Sequence, residues 1–161
     1  MRVNETDLDW STVERDDADT AFRRKKLAAA AGGDRLGCSL YELPPGTKSW
    51  PFHYHTGNEE AIYVLAGTGR LRTPEGTGSL VPGDYAAFPA GDEGAHRVIN
   101  DGDDTLRYLA LSTMADPDVT VYPDSGKIGI YAGSPPGSDD PRTVSGYYRR
   151  DDDVDYWLDE G

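Results

Sequence analysis

The chain has a single cysteine, Cys38, so an internal disulfide is impossible and a cystine-stapled secreted scaffold is excluded. Basic charge is scarce: 16 Lys and Arg stand against 29 Asp and Glu, a formal net charge of -13. A field of that sign repels phosphate backbones and anionic lipid surfaces, which disfavours nucleic acid and membrane as partners. Long apolar runs are missing, none approaching the roughly 20 residues of a membrane span. The opening MRVNETDLDW is polar and acidic, so no secretory leader is expected. At 161 residues the chain can close one sizeable core, but not a nucleotide-binding domain plus a separate substrate domain. These absences imply a soluble, acidic, cytoplasmic protein of one domain. Lysine occurs only at 25, 26, 48 and 127, and Asp far outnumbers Glu. That composition resembles proteins of high-salt cytoplasms, where screening removes most of the self-repulsion of a carboxylate-rich surface.

What the chain does contain is a series of short apolar runs, at 36–43, 62–65, 80–81, 85–88, 98–99 and 106–111. Turn signals separate them, among them Pro44-Pro45-Gly46, Pro82-Gly83-Asp84 and Asp101-Gly102-Asp103. Such spacing predicts an all-β sandwich or barrel, and 19 glycines and 11 prolines fit a helical bundle badly. The stretch 22–31 (FRRKKLAAAA) could form a helix but reads better as an edge strand followed by a turn of small residues. Three segments follow: a polar N-terminal extension at 1–21, a barrel at 22–131 and a C-terminal extension at 132–161. The last opens as a Pro/Gly/Asp linker over the surface. Its Tyr147, Tyr148, Tyr156 and Trp157 could pin the end onto the barrel or onto a partner subunit.

The three histidines carry the chemistry. His53 and His55 lie two apart in Phe-His-Tyr-His, and in a strand residues i and i+2 share a face. Tyr54 should then point away. Glu60 shares its face with Ile62 and Val64, while Glu59 has the opposite parity. His96 follows the turn around Gly91 and precedes the run at 97–100. Three imidazoles and a carboxylate converging in an apolar barrel form a site for one divalent transition metal, with Zn, Mn, Fe or Ni all compatible with that donor set. Four protein ligands leave open positions on an octahedral ion for water or substrate.

The spacing Gly46-x6-His53-x-His55-x4-Glu60-x6-Gly67 resembles the first motif of the cupins, and Gly83-x5-Pro89-x-Gly91-x4-His96-x3-Asn100 resembles the second. The resemblance implies a double-stranded β-helix of the jelly-roll type with a metal or ligand in its lumen. The first spacer is one residue longer than the family pattern, and Pro51 within it marks a bulge or strand edge. The second is two longer, an even number that preserves strand parity and enlarges the loop at the barrel mouth. Tyr122-Pro-Asp-Ser-Gly-Lys-Ile is similar to a segment that follows the barrel in sugar-phosphate-isomerase-like cupins.

Other residues read structurally. Asn100 suits a turn, Ile62, Val64 and Val98 suit core packing, and Cys38 suits a buried small hydrophobe. Asp124-Ser125-Gly126-Lys127 lacks the glycines and spacing of a phosphate-binding loop and reads as a turn. The acids at 151–153 read as solvated surface. The reading that follows is a metal-dependent enzyme on a small polar metabolite, with isomerase, dioxygenase and decarboxylase chemistry all open. The alternative is a non-catalytic cupin that captures or senses a small ligand. No catalytic base stands beside the ligand set; Glu59, Glu93 or a tyrosine could serve. Trp50, Phe52 and the aromatic tail offer apolar area for a homodimer.

Overall fold

Alternation of buried and exposed side chains over short stretches, broken by Pro and Gly turns, leaves the backbone little choice but strands. The computed structural model describes residues 1–15 and 19–161. Its strands are β1 (Ser11–Arg15), β2 (Thr20–Lys26), β3 (Leu36–Leu43), β4 (Tyr54–His55), β5 (Glu60–Ala66), β6 (Gly69–Thr73), β7 (Gly76–Leu80), β8 (Tyr85–Phe88), β9 (Arg97–Ile99), β10 (Leu106–Thr113), β11 (Asp118–Tyr122), β12 (Lys127–Ala132) and β13 (Val144–Arg149). One short helix, α1 (Leu27–Ala30), follows β2. No helix among the described residues is long and apolar enough to cross a membrane.

One face is a six-stranded sheet in the order β1-β2-β3-β10-β5-β8. The other combines β13-β12-β11-β4 with β7-β6-β9, and an isolated antiparallel bridge between His53 and His96 joins the two pieces. The architecture is the expected all-β jelly roll. Between the faces lie Phe22, Leu43, Val64, Leu106 and Tyr108, all buried, with Ile62 and Val98 beside them. Burying each such side chain contributes about 1.5–3 kcal/mol. Gly67 turns the chain from β5 into β6 with φ +76°, and a Cβ there would sit 2.4 Å from the Thr105 carbonyl oxygen, so the β10 backbone passes where a side chain would be. Asn100 is fully buried; its amide donates to the carbonyls of Leu43 and Asp104, and its oxygen accepts from the Gly102 N–H. It is the turn residue its place in the sequence suggested.

Several expectations need correction. Residues 20–26 do form a strand, but it is an interior one: β1 covers its outer side in register Ser11↔Arg24 to Arg15↔Thr20. The polar lead thus supplies a strand whose residues are mostly exposed. Cys38 is half-buried and borders the central cavity rather than lying in the core. Phe52 is buried, with the Arg72 guanidinium 3.9 Å from its ring centre, and offers no contact surface. Trp50, by contrast, packs edge-on against Phe22 at 4.6 Å yet keeps an exposed face, as expected. The C-terminal segment is only partly a linker, because β13 pairs with β12 along its length, while Tyr156, Trp157 and Leu158 stay exposed.

Candidate metal centre

Strand parity places the four predicted donors. His53 and His55 flank a half-buried Tyr54 and are themselves buried. Glu60 opens β5 opposite Phe88 on β8 and Ser112 on β10. The lengthened loop before His96 folds into a three-residue 3-10 turn, Asp92–Gly94. That turn delivers His96 into reciprocal backbone bonding with His53, and Phe88 stacks under the His96 ring at 3.7 Å.

The four side chains converge on one atom. The Nε2 atoms of His53, His55 and His96 lie 3.7, 3.4 and 3.5 Å from the same Glu60 oxygen, Oε2. Donor atoms of His53, Glu60 and His96 all lie within 4.8 Å of one another. Each imidazole is held from behind by its other nitrogen. His53 Nδ1 meets the Pro51 carbonyl at 2.7 Å, His96 Nδ1 the Gly94 carbonyl at 3.0 Å, and His55 Nδ1 the Asp118 carboxylate at 2.5 Å. With the proton committed to Nδ1, every Nε2 presents a lone pair inward.

Three lone pairs facing a carboxylate repel it unless positive charge lies between them. Burial, then the neighbouring histidines, depresses His53 well below the ordinary imidazole value. Burial likewise lowers His96. Burial also works against protonation of His55, but its bond to Asp118 and the charges of Glu60 and Asp118 outweigh this and raise it. The Asp118 side chain is fully enclosed, and burial opposes its ionisation; the His55 bond, with help from the Gly57 N–H, nevertheless holds it below the usual carboxylate range. Three imidazoles turned inward onto Glu60, with Asp118 behind His55, match the donor preference of a divalent cation.

Asp118 and Thr120 (Oγ1 3.1 Å from His55 Nδ1) are the residues sequence reasoning missed. Their one signal was the alternation Asp118, Thr120, Tyr122 on β11. Glu59 and Glu93 are exposed and neither borders the cavity. The site opens into a cavity of about 410 Å³ whose wall includes Tyr41, Tyr108, Tyr122, Tyr131 and Tyr147. Tyr122 lies over His53 with ring centres 6.1 Å apart. Burial, first among several causes, pushes its hydroxyl up to about 12.

Residues 39–112 match the family model "Cupin domain". No curated protein matches the chain. Among solved structures, a candidate sugar phosphate isomerase from Acidithiobacillus ferrooxidans is 29% identical, with a TM-score of 0.75 over 84% of this chain and 81% of that one. A sugar phosphate isomerase of the cupin superfamily from Silicibacter pomeroyi is 25% identical, with a TM-score of 0.79 over 94% of each chain. The polyketide cyclase RemF from Streptomyces resistomycificus is 28% identical, with a TM-score of 0.59 over 70% of this chain and 78% of that one.

Proposed function

We propose that this chain, whose residues 39–112 form a cupin domain, is a divalent-metal-dependent enzyme that enolises a small polar metabolite, the chemistry of an isomerase. The observation that carries the reading is the meeting of three Nε2 atoms on one carboxylate oxygen, each imidazole fixed from behind. His53, His55, Glu60 and His96 would hold the ion. A bound Zn, Mn, Fe or Ni would supply Lewis acidity, polarising a substrate carbonyl or hydroxyl.

The chain's own residues supply the rest. Asp118 and Thr120 fix His55, and the Gly94 carbonyl fixes His96. Tyr122, protonated at neutral pH, can donate a hydrogen bond to charge developing on a substrate oxygen. Glu60 is the one carboxylate that borders the cavity among the described residues. An open space walled by hydroxyls favours catalysis over a role in ligand capture alone, for which a barrel filled by apolar side chains would suffice. The two sugar-phosphate-isomerase-like relatives favour enolisation over dioxygenase or decarboxylase chemistry. We further propose that the protein works as a cytoplasmic homodimer.

Elemental analysis of untagged protein beside His55→Ala tests the metal reading. Near-stoichiometric metal in the wild type and roughly a tenth or less in the variant is expected from the loss of one ligand. Wild type that takes up no metal even after reconstitution would overturn the enzyme reading in favour of a metal-free ligand binder.

A further inference from the structure

The inner face of the six-stranded sheet changes character from one side to the other. Its register sets three rows across neighbouring strands: Glu60 on β5 opposite Ser112 on β10 and Gly37 on β3; then Ile62, Ala110, Ser39 and Lys26; then Val64, Tyr108, Tyr41 and Arg24. At the β5 end the sheet carries the Glu60 carboxylate facing the imidazoles of the other sheet, in the middle it carries small side chains and two tyrosines, and on β2 it is cationic. Arg24 and Lys26 lie on the same face of β2 as the buried Phe22, a parity at which the pattern calls for more core. Both border the cavity instead, as does Arg142 from the loop that follows β12. Three cations on one wall contrast with a chain of net charge -13.

Two of these groups have no carboxylate within ion-pair distance among the described residues, although the charge of Asp139, paired with Lys26, reaches both. Arg24 meets only a hydroxyl, with Nη1 3.4 Å from the Tyr41 oxygen. Its Nε is enclosed with no hydrogen-bond partner, and Trp50 lies against its guanidinium at 5.6 Å. No carboxylate among the described residues is within ion-pair distance of it. Arg142 spends its donors on the carbonyls of Ser134, Pro135 and Ser138, all neutral acceptors. Only Lys26 has an ion partner, Asp139 at 2.6 Å. An arginine on a core face costs stability unless an anion completes it, and its planar fork suits a carboxylate or phosphate.

We propose that the β2 end of the cavity is an anion subsite, with Arg24 as the residue that selects for a phosphate or carboxylate group on the ligand and Arg142 adding its charge. The span from β5 to β2 is three strand spacings, about 14 Å between backbones, and long side chains shorten it at the β2 end. A small metabolite could place oxygens at the His/Glu set and its anionic terminus at Arg24. That two-point pose rests on the metal reading; the contact with Arg24 does not.

Calorimetric titration with glycerol 1-phosphate, glycerate and glycerol, before and after stripping with EDTA, tests the subsite in wild type, Arg24→Met and Arg24→Lys. Wild type should bind an anion whether or not it is stripped, and glycerol should not bind measurably. Arg24→Met should weaken anion binding about tenfold or more, the loss expected for a hydrogen bond to a charged group. Arg24→Lys should fall between, because it keeps charge without the fork; if Arg24→Met fails to fold, this variant carries the test. The tighter of glycerol 1-phosphate and glycerate identifies the anion. Equal binding by wild type and the Arg24 variants overturns the subsite. Binding that vanishes with EDTA yet ignores Arg24 also overturns it, while upholding the metal centre. Binding that survives EDTA but needs Arg24 upholds the subsite even if the metal reading fails.

Discussion

At the scale of the residue, a site made of neutral donors depends on what stands behind them. Asp118 bonds His55 Nδ1 at 2.5 Å and takes the Gly57 N–H at 2.8 Å. Asp118→Asn keeps the shape but offers an amide N–H to the imidazole, which moves the ring proton to Nε2 and removes the inward lone pair. Metal affinity should fall by about 10–100-fold, measured by competition with a chelating indicator; a change of less than about twofold would refute the positioning role. The four inward donors were legible because strand parity fixes which of two neighbours faces in: His53, His55 and Glu60 turn in, and Glu59 turns out. Asp118 was not, because it lies 63 residues from His55 in sequence, and only the folding of β11 beside β4 brings them together. Arg24 was illegible for another reason: inside a basic run, FRRKK, nothing local separates a cavity-facing cation from a solvated one.

At the scale of the element, the turn before β9 shows how an insertion became part of the site. Asp92–Gly94 is one 3-10 turn, and the Gly94 carbonyl accepts from His96 Nδ1 at 3.0 Å. A Cβ on Gly94 would sit 1.9 Å from the Pro89 carbonyl oxygen and 3.0 Å from the Phe88 carbonyl carbon, both backbone atoms that cannot swing aside. Gly94→Ala should therefore destabilise the metal-free protein by about 1–3 kcal/mol through overpacking, read from denaturant unfolding. It should also lower metal retention, because the shifted turn releases His96. Gly78→Ala on β7, where a Cβ meets nothing within 4 Å, is the control and should leave both unchanged. Strands with dense apolar runs, β3 and β8, were legible to their end residues. β1, β6 and β13 were not, because Ser, Thr, Arg and Gly fill them and their outer sides are solvated. No local signal gives the order of strands in the sheets, because that order is set by pairings between segments far apart in sequence, such as β3 with β10.

At the scale of the whole molecule, two surface properties pull against each other. A net charge of -13 makes copies repel, and that repulsion reaches about 10 Å at 0.1 M salt but only about 3 Å at 1 M. Apolar groups nevertheless remain outside. Tyr63 and Tyr85 pair across β5 and β8 on the outer face, with Leu65 and Val81 exposed nearby. β8 is a free edge of its sheet, and the tail adds Tyr156, Trp157 and Leu158. Burial of such a surface is strengthened by salt while the opposing charge term is screened, so association should increase with ionic strength rather than weaken as an ion-paired interface would. Sedimentation is expected to give a dimer in about 2 M KCl, where the repulsion is almost fully screened, and a shift toward monomer as salt is lowered. Tyr85→Glu should abolish the dimer at high salt while leaving metal content unchanged, since the side chain faces away from Glu60 and Ile62. A wild type that sediments as a monomer at high salt would sink the homodimer. A dimer indifferent to Tyr85→Glu would move the interface to the C-terminal aromatics.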